Sequence, residues 1–171
     1  LETILEQFAG REQLTEKEKA FRWTVRQAVR KIKQVSVGDL IRCLNDKDVI
    51  LRVKAAKTLG DMKEKAAPAV PALISCLADA RAAVRQEAAF ALARIGDPSI
   101  PELTQALEHS SPQIRKNAAF SLGEMGPQAA AAREPLKKLL NDENKSVRWC
   151  AAAAIKKINR NDSPGNMPKQ R

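Results

Sequence analysis

The chain has 171 residues, 30 basic and 20 acidic groups, a net charge of +10, a single histidine and three cysteines without paired spacing. That length supports one ordinary domain with a real core. No apolar run approaches the ~18 residues of a membrane span, and unpaired thiols suit a reducing, intracellular setting better than a disulfide framework. Abundant alanine, few aromatics, no tyrosine and no alternating β-branched run point to an all-α protein.

The chain opens on Leu1, and further sequence is expected upstream. Residues 1–35 are predicted to hold one or two N-terminal helices. LETILEQFAG is the first; TEKEKAFRWTVRQAVRKIKQ is the second, with Thr15 and Glu18 in capping-box spacing. At ~100° per residue, Lys19, Arg22, Arg26, Arg30 and Lys33 share one face, opposite Phe21, Val25, Ala28, Val29 and Ile32. Trp23 lies beside the basic face. Two readings stay open: a candidate anion or nucleic-acid patch with Trp23 stacking, or a solvated helix face with Trp23 packed on a preceding element. The second is the simpler.

Residues 36–160 contain four blocks that superimpose: LIRCLNDKDVILRVKAAKTLGDM from Leu40, LISCLADARAAVRQEAAFALARIG from Leu73, LTQALEHSSPQIRKNAAFSLGEMG from Leu103, and LKKLLNDENKSVRWCAAAAIKKIN from Leu136. The steps between the leading leucines are 33, 30 and 33 residues, and the same steps separate Arg52, Arg85, Arg115 and Arg148. A fixed period in this range means a stacked repeat array. Each block is predicted to hold two helices. The first is short, with leucines at i and i+4. The second runs from the arginine through an Ala-Ala pair to a closing Ile or Met. Gly, Asp and Pro break the chain at GDPSIP (96–101) and GP (126–127), and Ser111 before Pro112 has the pattern of a cap and first turn. Residues 161–171 are polar, with Pro and Gly, and are predicted to be a disordered tail.

These blocks resemble HEAT repeats, in the short form found in phycobilin-lyase-type HEAT proteins. The resemblance rests on L-x-x-x-L-x-D-x-x-x-x-V-R-x-x-A-A-x-x-L-x-x-I-G and covers about residues 36–160. It implies a right-handed α-solenoid of four helical hairpins, with residues 1–35 a part of it or a cap, and second helices lining the concave surface. It also implies a structural Asp–Arg ladder between repeats. Asp46, Asp79 and Asp142 each stand six residues before their block's arginine, which suggests the sets Asp46/Arg52, Asp79/Arg85 and Asp142/Arg148. The third block has His109 in the Asp position before Arg115, so the ladder is expected to be altered there, with His109 a surface turn residue.

With the core face fixed by the apolar positions, the opposite face carries equivalent rows: Val53, Gln86, Lys116 and Trp149; then Lys57, Phe90, Phe120 and Ala153; then Gly60, Ala93, Gly123 and Lys156. Phe90 and Phe120 are predicted to be neighbours on the groove floor, a diagonal step from Trp149. Gln86, Lys57, Lys116 and Lys156 supply the polar rim, and Ala93, Gly123 and Ala153 leave room for a guest. Exposed aromatics of this kind anchor partners. The rings could instead fold between adjacent repeats, lie under the chain's own tail, or meet another copy. Cys43 and Cys76 fall in a core-facing slot, whereas Cys150 flanks the exposed row.

No Gly-rich phosphate loop, metal constellation or nucleophile–His–acid set is present, so neither enzyme activity nor a cofactor is expected. The leading expectation is an interaction scaffold that binds a protein or peptide segment in the groove. The second is nucleic-acid binding through basic ends. Residues 67–132 sum to −1 while residues 133–160 carry +5, which is not the continuous stripe a phosphate backbone asks for. A spacer or regulatory arm of a larger protein is the third.

Overall fold

In the computed structural model, residues 36–161 are described. The expectations for residues 1–35, including the basic face from Lys19 to Lys33 with Trp23, and for the tail beyond Asn161 lie outside them. The chain divides into two units after Ser36.

The second unit is built of four helix pairs: α1 (Val37–Cys43) with α2 (Val49–Asp61), α3 (Val70–Cys76) with α4 (Ala82–Ile95), α5 (Ile100–Ala106) with α6 (Pro112–Met125), and α7 (Arg133–Lys138) with α8 (Lys145–Ile158). No strand occurs among the described residues. The pairs match the four blocks because each block repeats the same apolar code. Leu73, Leu77, Leu103 and Leu107, at i and i+4 of the short helices, are buried, as are Ala88, Ala91, Leu92 and Ile95 of α4. A single contiguous core runs from Leu40 to Ile158, the nearest-neighbour packing of a repeat array. The first repeat departs from the pattern: Leu51, which precedes Arg52, is exposed, whereas its counterparts Val84, Ile114 and Val147 are buried.

Helix ends follow local chemistry. Asp48 caps α2 by accepting from the Ile50 amide at 2.8 Å, and Asn144 caps α8 through the Ser146 amide at 2.9 Å. Ser111 does occupy the N-cap position of α6, with Pro112 at the first turn, but its side chain makes no capping bond. Its amide instead donates to His109 Nδ1 at 3.0 Å. Gly96 and Gly126 close α4 and α6 at φ +79° and +62°, where a side chain would be strained.

Successive repeats are joined by 3₁₀ segments: Lys63–Ala69, Asp97–Ser99 and Gly126–Ala132. The middle one has three residues against seven in the others, the structural origin of the 30-residue step. The second helices stack in sequence, α2 on α4, α4 on α6, α6 on α8, and the α4–α6 seam is the loosest of the three. Glycine explains the tight ones. A Cβ on Gly60 would stand 2.8 Å from Ala91 Cα, and one on Gly123 2.9 Å from Ala154 Cα, so in α2 and α6 the missing side chain lets the next helix approach. The equivalent residue of α4 is Ala93, and no such approach is open to α6. Gly123 is therefore first of all a helix contact.

Candidate functional site

Three consecutive second helices, α4, α6 and α8, form one wall, and a cavity of about 590 Å³ lies along it. Gln86 from α4, Lys116 and Phe120 from α6, and Trp149 from α8 all line it, four of the seven aromatic and polar residues expected to contact a partner. Trp149 is 72% exposed, the most open large apolar side chain among the described residues. A smaller hollow of about 120 Å³ continues past Phe120 and Trp149 to Gly123, Ala153 and Lys157.

Phe90 and Phe120 are neighbours, with ring centroids 5.5 Å apart and planes at 71°, the edge-to-face geometry aromatic pairs prefer. Both are half-buried. The pair bridges α4 and α6 where the backbones stay apart, so the sideways packing between repeats is realised in part. Phe120 also faces the cavity and Phe90 does not. Lys57 and Lys156 are exposed but line neither hollow. Lys57 lies on α2, outside the three-helix wall, whereas Lys156 lies on α8 but beyond the residues of that helix that face the hollows. The neighbouring Lys157 takes the expected place: its Nζ sits 5.7 Å above the Phe120 ring and pairs with Glu124.

Arg85, Gln113, Asn117 and Lys145 also line the main cavity, although none of them belongs to the in-register rows. Asn117 donates to the Leu77 carbonyl at 2.7 Å and so ties the third repeat to the second. The Nε2 atom of Gln113 is buried with no hydrogen-bond partner. Arg85 was legible only as part of the ladder, whose register differs from the expected one. Within a block, the arginine takes the backbone carbonyl at the Asp position: Arg52 Nη1 on Asp46 O at 2.8 Å, Arg85 Nη1 on Asp79 O at 2.6 Å, Arg115 Nη1 on His109 O at 2.9 Å, Arg148 Nη1 on Asp142 O at 2.7 Å. The carboxylate belongs to the arginine of the preceding repeat. Arg52 grips Asp79 through Nε (2.9 Å) and Nη2 (3.1 Å), and Arg115 grips Asp142 through Nε (2.7 Å) and Nη2 (3.0 Å), the bidentate fork of a guanidinium on a carboxylate.

The carboxylates respond accordingly. Asp142 titrates below the usual carboxylate range, chiefly because of the Arg115 bonds. For Asp79 burial is the largest single influence and pushes upward, but the Arg52 bonds, the Arg81 amide and nearby cations together outweigh it, and the net direction is down. Each Asp also accepts from the amide two residues on, Asp48, Arg81 or Asn144, at 2.7–2.8 Å. His109 Nδ1 does the same with Ser111, but an imidazole has no second oxygen for Arg85. The rung between the second and third repeats is missing, the alteration expected from the sequence. Arg85 Nε and Nη2 have no partner among the described residues.

Of the thiols, Cys76 is buried and Cys43 and Cys150 are half-buried. Burial pushes Cys76 up to about 11, and it raises Cys150 too, with Lys116 offsetting part of the effect. Cys76 thus behaves as a packing group rather than a nucleophile. Among the described residues no His, Cys, Asp or Glu cluster could hold a metal, and no helix is long and apolar enough to cross a membrane.

Stacked helix pairs with an inter-repeat Asp–Arg ladder and a wall of second helices define an α-solenoid of short helical repeats. The chain belongs to the HEAT repeat family: the HEAT repeats model matches residues 11–93 and 100–165, and the PBS lyase HEAT-like repeat model matches residues 84–109. Among solved structures, the complex of CpcE and CpcF of phycocyanin lyase from Nostoc sp. PCC7120 is similar, at 23% identity and a TM-score of 0.55, over 72% of this chain and 78% of that one. This likeness establishes the fold. An engineered protein matches at 26% identity and a TM-score of 0.43, over 71% of this chain; the chain spans 62% of that protein's length. A designed armadillo repeat protein matches at 21% identity and a TM-score of 0.43, over 78% of this chain and 69% of the design. A search of curated protein sequences finds no match.

Proposed function

We propose that the chain is a non-catalytic interaction module that holds a segment of a partner protein along the α4–α6–α8 wall. The observation that carries this reading is the cavity itself, open to solvent, with exposed Trp149 and half-buried Phe120 at its centre and side chains from three repeats around it. Large amphipathic rings supply most of the affinity in such sites, because they bury much area at little entropic cost. The free thiols at Cys43, Cys76 and Cys150 accord with an intracellular setting. Basic end patches are the weaker route: the cations near the groove converge on one cavity and do not track along the array, which favours a side-chain-sized guest over a phosphate backbone.

The test is a selection of short random peptides displayed on phage against the wild-type chain, followed by binding measurements on the Trp149→Ala variant. Selected peptides are expected to lose about tenfold or more in affinity, as truncation of an aromatic anchor does. The melting temperature should hardly move, since the ring is 72% exposed in the free chain. Peptides that bind wild type and Trp149→Ala alike would place the binding surface elsewhere.

A further inference from the structure

We infer that the groove selects an acidic partner segment, and that a carboxylate of that segment completes the missing ladder rung by seating on Arg85. This inference rests on the reading of the groove as a protein-binding site and names the chemistry of its guest.

Three observations carry it. First, the arginines of the first and third repeats each use Nε and Nη2 to grip a carboxylate. Arg85 is held in the same way on its Nη1 side, by Asp79 O at 2.6 Å and Ala80 O at 3.1 Å, and its remaining donors form the same fork without an acceptor. A pre-positioned guanidinium fork matches a carboxylate in geometry as well as charge. Second, Arg85 faces the cavity, unlike the filled forks of Arg52 and Arg115. His109 in the Asp position is what leaves it without an acceptor. Third, the cavity is electrostatically one-sided: Arg85, Lys116 and Lys145 line it with the unpartnered Gln113 amide, and no Asp or Glu does. The near-neutral charge of residues 67–132 conceals Arg85 and Lys116, and Lys145 joins them from the fourth repeat, so the three cations meet only in the fold.

The guest this fits carries an aspartate or glutamate next to an apolar side chain, the first on Arg85 and the second against Phe120 and Trp149. Charge complementarity of this kind sets partner choice and speeds encounter. Nucleic acid fits less well, since a single emptied fork offers one carboxylate-shaped seat rather than a row of phosphate contacts.

The proposal is tested with a fluorescein-labelled short peptide carrying aspartates beside leucine and phenylalanine, and with the same peptide carrying asparagines, titrated by anisotropy. The aspartate peptide should bind the wild-type chain about tenfold tighter, and the Arg85→Gln variant should lose that preference while still binding the asparagine peptide. His109→Asp supplies the carboxylate in cis. It is expected to raise the melting temperature and to bring the aspartate peptide down to the affinity of its amide twin. Equal affinity of the two peptides for wild type, or an unchanged preference in Arg85→Gln, overturns the acidic selection. Binding of both peptides that Trp149→Ala abolishes leaves the groove reading intact in that case. Displacement of the aspartate peptide by a short DNA duplex, with a steep dependence on salt, also overturns the proposal and makes the guest a phosphate chain.

Discussion

Asp142→Ala should lower the unfolding free energy of the repeat array by about 3 kcal/mol, the cost of leaving one member of a buried ion pair without its partner. The Arg115 and Asp142 side chains are only 10% and 5% exposed, and Arg115 spends both outer donors on this carboxylate. Deleting Asp142 also removes the acceptor for the Asn144 amide at the start of α8, so the helix loses its turn anchor together with the link to the third repeat. Glu143, 3.3 Å from Arg115 and 83% exposed, offers partial rescue and holds the expected loss to the lower end of the range for buried pairs. Asp142→Asn separates the two contributions, because the amide oxygen can still accept from Asn144 while the charge is gone; its loss should be smaller. Urea unfolding followed by circular dichroism measures both, and a change of a few tenths of a kcal/mol in Asp142→Ala would show that the rung is ornamental. The pH dependence has a definite sign. Asp142 and Asp79 titrate lower in the folded chain than in the unfolded one, so the unfolded state binds more protons and stability falls as acid is added. The contribution is complete above about pH 5, where an unfolded aspartate is almost fully ionised, and is lost as pH falls through the lower folded values. Asp142→Asn should flatten the part of that acid limb owed to Asp142.

Gly123→Val is the second large effect, about 1–3 kcal/mol of overpacking. The first added atom would lie 2.9 Å from Ala154 Cα and 3.0 Å from its Cβ. Both belong to the body of α8, so no flexible side chain can swing aside and the helix itself must move. That displacement carries Trp149 and Cys150 away from Phe120 and widens both hollows, so peptide affinity should fall with stability, unlike in Trp149→Ala. Gly123→Ala makes a sharper comparison. Alanine gains up to about 1 kcal/mol of helix propensity over glycine but meets the same first contact. A more stable Gly123→Ala chain would mean that α8 yields easily. Thermal melts of the two variants decide it.

The fold was legible because the repeat writes its core four times. A 30–33-residue period with arginine in step fixes the pairs of helices, and Leu, Ala and Ile at helical spacing fix their buried faces. The aromatic contact between Phe90 and Phe120 was legible for the same reason: equivalent positions in register become neighbours in a stack. Other features depend on relations between repeats that a single block does not encode. The arginine of one repeat reaches the carboxylate of the next, 27 residues away, rather than the aspartate six residues before it, so Arg85 and Arg148 read as paired ladder residues although neither has a carboxylate partner among the described residues. The tight contact of Gly123 with α8 was not legible, because a missing side chain looks alike whether it borders a hollow or admits a neighbouring helix, and here it does both. Lys57 belongs to the right row but to α2, outside the wall, and Lys156 sits on a wall helix with its neighbour Lys157, rather than itself, at the hollow.

The loose seam has a mechanical consequence. In a linear stack each repeat is held only by its neighbours, so deformation gathers at the weakest joint rather than spreading evenly. Here that joint combines the shortest connector, Ala93 where its counterparts are glycine, and the absent rung at His109. The array is in effect two stiff halves in series with one compliant element between them. Bending or stretching of the solenoid is therefore expected to gather at α4 and α6, where Arg85, Phe120 and Lys116 stand, so that a change in curvature would also change the width of the cavity.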